Sequence, residues 1–405
     1  MKNLFMLSAL ALLSVSCTNN KKKFTSIEFK HNYLFNSEIE QKVNTDTVAW
    51  KHQLSAADYA SKGDYKNALI HWDTAFRTRV VNYTKEEQDS INQKYEVVSA
   101  LDYIVKQAKK HSVVIINEAH HNSSHRVFTR ALLQNLYNEG YTNLGLEALG
   151  NGEYLDSLLN GRKYPVQSSG IYTSEPQFGN LVRAALSIGF HVFAYENMSL
   201  GQGKPREMEQ AKNIQKWMDN KPNEKFLIHC GFAHAYEGVY SPWEKAMAGR
   251  LTEYTGINPF TINQTLYTEK SNSNFNHPLL KTLKLTEPSV LLDKNKQAIR
   301  YERKESWTDV AVLHPNTRYT NNRPHWLFEN GTKNVSLDLK DFNISFPVLI
   351  LAFKKGENIN EAVPMDIYEV ENNKLIPHLA LPKGDYDIVL VNKNTSALKF
   401  EIHVE

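Results

Sequence analysis

Residues 113–126 read VVIINEAHHNSSHR, Val113 to Arg126. An apolar, β-branched run stops on Glu118, and His120, His121, His125 and Arg126 follow at once. A run of this kind, bounded by a helix-like segment, reads as a buried strand of a parallel sheet. Such strands deliver reactive groups to the crevice at their carboxyl ends. The chain around it repeats the pattern. The spacing predicts strands at Val113–Ile116, Thr142–Leu146, His191–Tyr195, Lys225–His229, Pro259–Asn263 and Asp309–Leu313. Between them it predicts helices His125–Glu139, Gly179–Ile188, Glu207–Asp219 and about Trp243–Tyr254. This alternation implies an α/β domain over about 111–330, with a mostly parallel central sheet flanked by helices.

The flanks differ in texture. Residues 1–17 have a basic Lys2, an apolar run and small residues before Cys17, so they read as a targeting segment. Small residues directly before a cysteine resemble the lipobox of bacterial lipoproteins, which implies a lipid on Cys17 and a membrane-anchored, envelope location. No other apolar run approaches the ~20 residues needed to span a bilayer. Residues 18–45 begin TNNKKK and read as a polar tether. Residues 46–110 read as helical. LSAADYASKGDYKNALIHWDTAF forms a hairpin like one tetratricopeptide repeat, turning at Gly63, and one continuous helix is expected from Glu86 to Lys110. From 335 to 405, short alternating strands separated by Gly, Asn and Pro predict a small antiparallel β-domain.

Composition narrows the classes. A formal charge of +3 over 405 residues gives no reason to expect nucleic acid as a partner. Besides Cys17 only Cys230 remains, so no intramolecular disulfide framework is possible once Cys17 is lipidated, and Cys230 reads as a packed core thiol. There is no GXSXG elbow, no phosphate loop and no GXGXXG after a strand.

The chemistry must therefore come from the strand ends. Three strands finish on a carboxylate, Glu118, Glu147 and Glu196, and a fourth leads through His229 to His234. Any one of these is as well explained as a cap or a solvated loop residue; the set points to a site. Glu118 with His120, or His121 with His125, can act as acid and base or ligate a divalent metal. Arg126, Arg130 and Arg183 are candidates for holding an anion, and Tyr236 and His314 are weaker candidates near strand exits. GQGKPRE at Gly201 reads as a loop over the site.

NEAHHNSSHR, the following GYTNLGLEAL and the later HCGFAH resemble the ChaN-like and erythromycin-esterase-like superfamily, to which the Tiki proteins are distantly linked. The resemblance covers about 110–325. Glu118, His120 and His125 reproduce the ChaN-like spacing, Glu118 and His121 the esterase-like one, and Gly231 with His234 the later motif. The glycine that precedes the glutamate in the family is Asn117 here. The resemblance implies a hydrolase of an ester or amide in a small molecule or peptide. In it His120 or His121 is general base, Glu118 and Glu147 orient the base or bind metal, and His234 serves the leaving group. Arg126, Arg130, Arg183 and Glu196 would hold the substrate. The other branch implies haem or iron binding, and a metal set of Glu118, His120, His125 and His234. A non-catalytic interaction protein is the third reading.

Overall fold

The computed structural model describes residues 24–76, 78–199 and 201–405; Cys17 and the targeting segment lie outside them. The fold is α/β. Eight strands form its central sheet: β1 (Glu96–Ser99), β2 (Val113–Glu118), β3 (Tyr141–Leu146), β4 (His191–Ala194), β5 (Lys225–Gly231), β6 (Phe260–Tyr267), β7 (Ser289–Leu292) and β8 (Val310–Leu313). Their order across the sheet is β1-β7-β8-β6-β2-β5-β3-β4. The six strands from β8 to β4 run parallel, and β7 pairs antiparallel with both β8 and β1. β2 lies near the centre and is buried along its whole length, which is why its first four residues, Val113–Ile116, are continuously apolar rather than alternating.

Register brings the strand ends into line. Glu118 pairs with Gly231 across β2 and β5, and Leu146 pairs with His229 on one side and Ala194 on the other. Glu118, Glu147 and Glu196 consequently leave the same edge of the sheet. The helices that follow the strands pack their apolar stripes on its faces. Phe128, Leu132, Leu133 and Leu136 of the helix Ser124–Asn138 join one core, and Ala211, Ile214 and Met218 of the helix Lys204–Asp219 join the other.

The N-terminal hairpin is present as α1 (Lys51–Ser61) and α2 (Tyr65–Ala75). Its turn residue Gly63 has φ +80, and a Cβ there would sit 2.6 Å from the Ile367 carbonyl oxygen, so the turn needs glycine twice over. The C-terminal region forms a five-stranded antiparallel sheet from Val348–Lys354, Asp366–Val370, Gly384–Asn392, Ala397–Val404 and the N-terminal strand Thr25–Ile27, with a separate two-stranded ladder beside it.

Two expectations need correcting. The polar tether ends by Thr25, which begins the strand paired with Ala397–Lys399. In IEFKHNYLF the residues Ile27, Phe29, Tyr33 and Phe35 recur with period two, and the three aromatics bury against Leu349, Leu351 and Phe353. A helix occupies Asn36–Thr45 after them. The expected helix Glu86–Lys110 is broken. Lys85–Lys94 and Ala100–Ala108 are helical, but Glu96–Ser99 is strand β1, and Val97 is exposed rather than packed in a helix face. The β-branched pair Val97–Val98 favours the strand, and the Ser99 hydroxyl caps the second helix by accepting from the Asp102 amide at 3.4 Å.

Candidate active site

At the exit of β2 the Glu118 carboxylate is enclosed. The Arg126 guanidinium, one turn into the helix Ser124–Asn138 (α3), donates through Nε to Oε2 at 2.6 Å and through NH2 to Oε1 at 2.7 Å. It also donates to Glu175 at 2.9 Å and to the His120 carbonyl at 3.0 Å. Glu175 in turn caps the helix Pro176–Ile188 (α4) by accepting from the Phe178 amide. Burial alone would raise the Glu118 pKa, but Arg126 and the hydrogen bond from His120 outweigh it and hold the carboxyl well below its usual range.

His120 turns toward this carboxylate. Its Nδ1 lies 2.9 Å from Glu118 Oε1. An ionised carboxylate only accepts, so in the neutral ring Nδ1 carries the proton and Nε2 the lone pair. The ring stacks on Tyr172 at 4.1 Å and meets the edge of Phe232 at 5.0 Å. It passes so close to the backbone of β5 that a Cβ on Gly231 would lie 2.6 Å from His120 Nε2, and 3.4 Å from Glu147 Oε2. Gly231 is thus required by close approach, and the imidazole and the Glu147 carboxylate face each other across it. The next residue, Phe232, holds φ +39, an unfavourable backbone for a side chain of its size, beside the reactive groups.

Glu147 and Glu196 share a second arginine. Arg206 NH2 lies 2.5 Å from Glu147 Oε1 and 2.5 Å from Glu196 Oε2, and Nε reaches Glu196 Oε1 at 3.0 Å. Gly231 donates its amide to Glu147. Burial would raise the Glu147 pKa, but His234 and Arg206 draw it down to about 2. His234 closes the ring of groups. Its Nδ1 lies 2.8 Å from Glu207 and its Nε2 3.3 Å from Glu147 Oε1 and 3.1 Å from Arg206. Burial disfavours the imidazolium, yet Glu147 and Glu207 outweigh it and raise the His234 pKa. The ring stacks on Trp243 at 5.2 Å. Most of these groups are covered; the His120 and Arg206 side chains keep about a fifth of their surface exposed, 20% and 22%. The cluster therefore opens to solvent through His120 and Arg206.

The structure places the other candidates elsewhere. His121 points away from the carboxylates and stacks on Trp72 of α2 at 3.9 Å, and burial pushes its pKa well below the usual value. His125 is fully buried, accepts the Ala119 amide at 3.0 Å on Nδ1 and is held neutral by burial, so it shapes the loop after β2. Arg130 lies in α3 near Tyr65 and Glu175, and burial lowers its pKa. Arg183 is an anchor, not a substrate clamp: it pairs with Glu357 and the Val363 carbonyl of the C-terminal region. Asn117, where the resemblance expects glycine, is regular strand. Its amide donates to the Phe232 carbonyl at 2.6 Å, and its oxygen accepts the Gln264 amide at 2.7 Å. Cys230 is buried and unpaired with another cysteine, its thiol pushed up by burial. Tyr236 stacks on Tyr301 away from the cluster.

Sequence reasoning missed Arg206, Glu207, Glu175 and Tyr172. Only Arg206 and Glu207 left a trace, in the GQGKPRE segment read as a covering loop.

The residues do not fit the metal set Glu118, His120, His125 and His234. Both oxygens of Glu118 are taken by Arg126, and His125 is committed to the Ala119 amide. Among the described residues no three His, Cys, Asp or Glu side chains converge as metal ligands. Guanidinium groups supply the positive charge at both carboxylate centres. For haem, His121 and His125 are enclosed by protein, which leaves His120 alone of the three with exposed surface.

No family model and no curated protein matches the chain. Among solved structures it is similar to the type III effector HopBA1, with 14% identity, 46% of this chain and 95% of that one covered, and a TM-score of 0.32. It is also similar to ChaN of Campylobacter jejuni, which binds haem cofacially, at 11% identity, 44% and 94% coverage and a TM-score of 0.29. A third is RRSP, a MARTX toxin effector domain from Vibrio vulnificus CMCP6, at 18% identity and a TM-score of 0.28; 53% of this chain and 44% of that one are covered. These are weak, partial likenesses, and none bears on what this chain's residues do. Among the described residues no helix is long and apolar enough to cross a membrane.

Proposed function

We propose that this chain hydrolyses an ester or amide by acid–base chemistry carried on its own side chains. The observation that carries the reading is a pair of histidines in one carboxylate cluster that differ in exposure: His120, at the open side of the cluster, and the buried His234, its pKa raised by two carboxylates. An accessible imidazole beside a buried one held by two carboxylates offers a base and an acid within one site.

His120 Nε2 takes a proton from water as the water oxygen adds to the substrate carbonyl carbon. Glu118, ionised and locked by Arg126, keeps the tautomer that makes Nε2 the acceptor and steadies the imidazolium as it forms. Charge develops on the carbonyl oxygen, and the partly exposed Arg206 is placed to receive it. His234, which shares Glu147 with Arg206, protonates the leaving oxygen or nitrogen as the tetrahedral adduct collapses. Glu147 does not titrate in this cycle; it fixes Arg206, His234 and the Gly231 amide relative to one another. We place this activity in the cell envelope, tethered by a lipid on Cys17, on the strength of residues 1–17 alone.

The test is turnover of p-nitrophenyl acetate and a chromogenic peptide amide by the wild type and the variants His120→Ala, His234→Ala and His121→Ala. Loss of about 10²–10⁴ in kcat/KM at His120 and His234, with His121→Ala close to wild type, supports the reading. Equal activity in folded His120→Ala, or no turnover of either substrate class by the wild type, overturns it.

A further inference from the structure

On the far side of α3 from the catalytic cluster lies a cavity of about 360 Å³. Ser124, Val127, Phe128 and Ala131 line it from one stripe of that helix, at the spacing that puts four side chains on one face. Trp326 and His314, the residue directly after β8, also line it. Its size falls in the range of small-molecule sites. Nothing in the proposed hydrolysis uses it.

His314 gives the cavity a specific chemistry. The side chain is 6% exposed. Its Nε2 lies 3.0 Å from Gln264 Oε1, and Gln264 spends its amide nitrogen on the Asn117 carbonyl at 2.8 Å, so the oxygen end faces the imidazole. Nε2 therefore carries the proton and Nδ1 holds a lone pair. Among the described residues no group donates to Nδ1. Burial draws the His314 pKa down to about 4, which keeps the ring neutral at physiological pH. This nitrogen, without a protein donor, keeps accessible surface and so is open to a molecule in the cavity that carries a donor.

We infer that this cavity is a second binding site, for a small uncharged molecule with a flat apolar body and one hydrogen-bond donor, of the phenol or indole kind. The body fits between Val127, Phe128 and Trp326, and the donor meets His314 Nδ1. Glu287 and Glu329, both exposed at the lining, disfavour an anion.

Two probes separate shape from the hydrogen bond: 2-naphthol, which has the donor, and 2-methoxynaphthalene, which lacks it. Each is titrated into the purified protein by calorimetry and by fluorescence. The expected result is 1:1 saturable binding, with the methoxy probe weaker by about tenfold. His314→Phe should bring the naphthol down to the methoxy probe's affinity. Ala131→Phe fills the cavity, and Thr286→Trp, at an exposed position of the lining, obstructs its mouth; each should weaken both probes by more than about tenfold. No saturable binding, equal affinity for the two probes, or binding unchanged by a folded blocking variant overturns the inference. Ester and amide turnover is measured separately, so failure here leaves the hydrolase reading untouched.

Discussion

Replacing Arg126 with Met tests the pairing on which the cluster rests. In the wild type the guanidinium makes four hydrogen bonds, to both oxygens of Glu118, to Glu175 and to the His120 carbonyl, and stacks over the Phe178 ring at 5.0 Å. The Arg126, Glu118 and Glu175 side chains are 1–2% exposed. Met keeps the length and apolar contact of the stem but leaves two buried carboxylates without their cation. Breaking a buried pair in this way costs roughly 3–5 kcal/mol. The loss should itself depend on pH. In the wild type the depressed Glu118 pKa contributes stability that is present above the unfolded pKa and lost as pH falls through the folded one. Without Arg126 burial is left as the largest influence and raises that pKa, so the variant gains protons on folding and weakens as pH rises. The deficit against wild type is therefore larger at pH 7 than at pH 5. Urea unfolding followed by circular dichroism and tryptophan fluorescence at both pH values reads the shift in midpoint. A loss below about 1 kcal/mol at pH 7, the scale of an exposed pair, or a loss independent of pH, would refute the reasoning.

Three further perturbations probe the geometry. Gly231→Ala puts a methyl into the His120 ring, 2.4 Å from Cε1, and should lower kcat by about 10² through misplacement while thermal unfolding stays near wild type; wild-type kcat would show that the ring is not held there. Glu207→Gln removes a hydrogen-bonding carboxylate from His234, so the raised pKa should fall, as read by NMR titration of labelled histidine. Its sign is fixed: the contribution of protonated His234 is complete below the unfolded pKa and is lost as pH rises through the folded one, so an unchanged titration would remove Glu207 from the account. His121→Phe keeps the stack on Trp72 and should change kcat/KM by less than about threefold, since His121 touches no carboxylate; a loss like that of His120→Ala would reverse the assignment of the two adjacent histidines.

Much of the fold was legible because buried parallel strands write themselves as unbroken apolar runs. VVII at Val113–Ile116 and FLIH at Phe226–His229 admit few other readings, and the carboxylates behind three such runs had to share an edge. Which neighbour of Glu118 turns inward was not legible. His120 and His121 are chemically identical in the sequence, and the choice is made by Trp72, which reaches the site from a helix 49 positions before His121 and stacks the second ring away. Arg206 was hidden for a similar reason. No local pattern ties a cation in GQGKPRE to Glu147, 59 residues earlier. The order in residues 25–45 was hidden because the period-two aromatics of IEFKHNYLF sit among polar residues and, beyond the short strand Thr25–Ile27, are irregular chain that only the C-terminal sheet buries.

Charge decides what the cluster can accept. Glu118, Glu175, Glu147, Glu196 and Glu207 are formally five carboxylates, against Arg126 and Arg206 as the only guanidinium groups bonded to them among the described residues. His229 does not redress this, since burial lowers its pKa to about 4. Even with His234 protonated the cluster stays negative. Arg126 is used up internally and Arg183 is tied to Glu357, so neither is free to clamp a substrate carboxylate or phosphate. An anionic group placed near His120 would meet net negative charge in a region of low polarisability, where like charges repel most. The substrate's reacting carbonyl should therefore belong to an uncharged or cationic region of the molecule. In the proposed mechanism Arg206, partly exposed and shared between two carboxylates, therefore meets the oxyanion as it forms rather than holding an anion in the ground state.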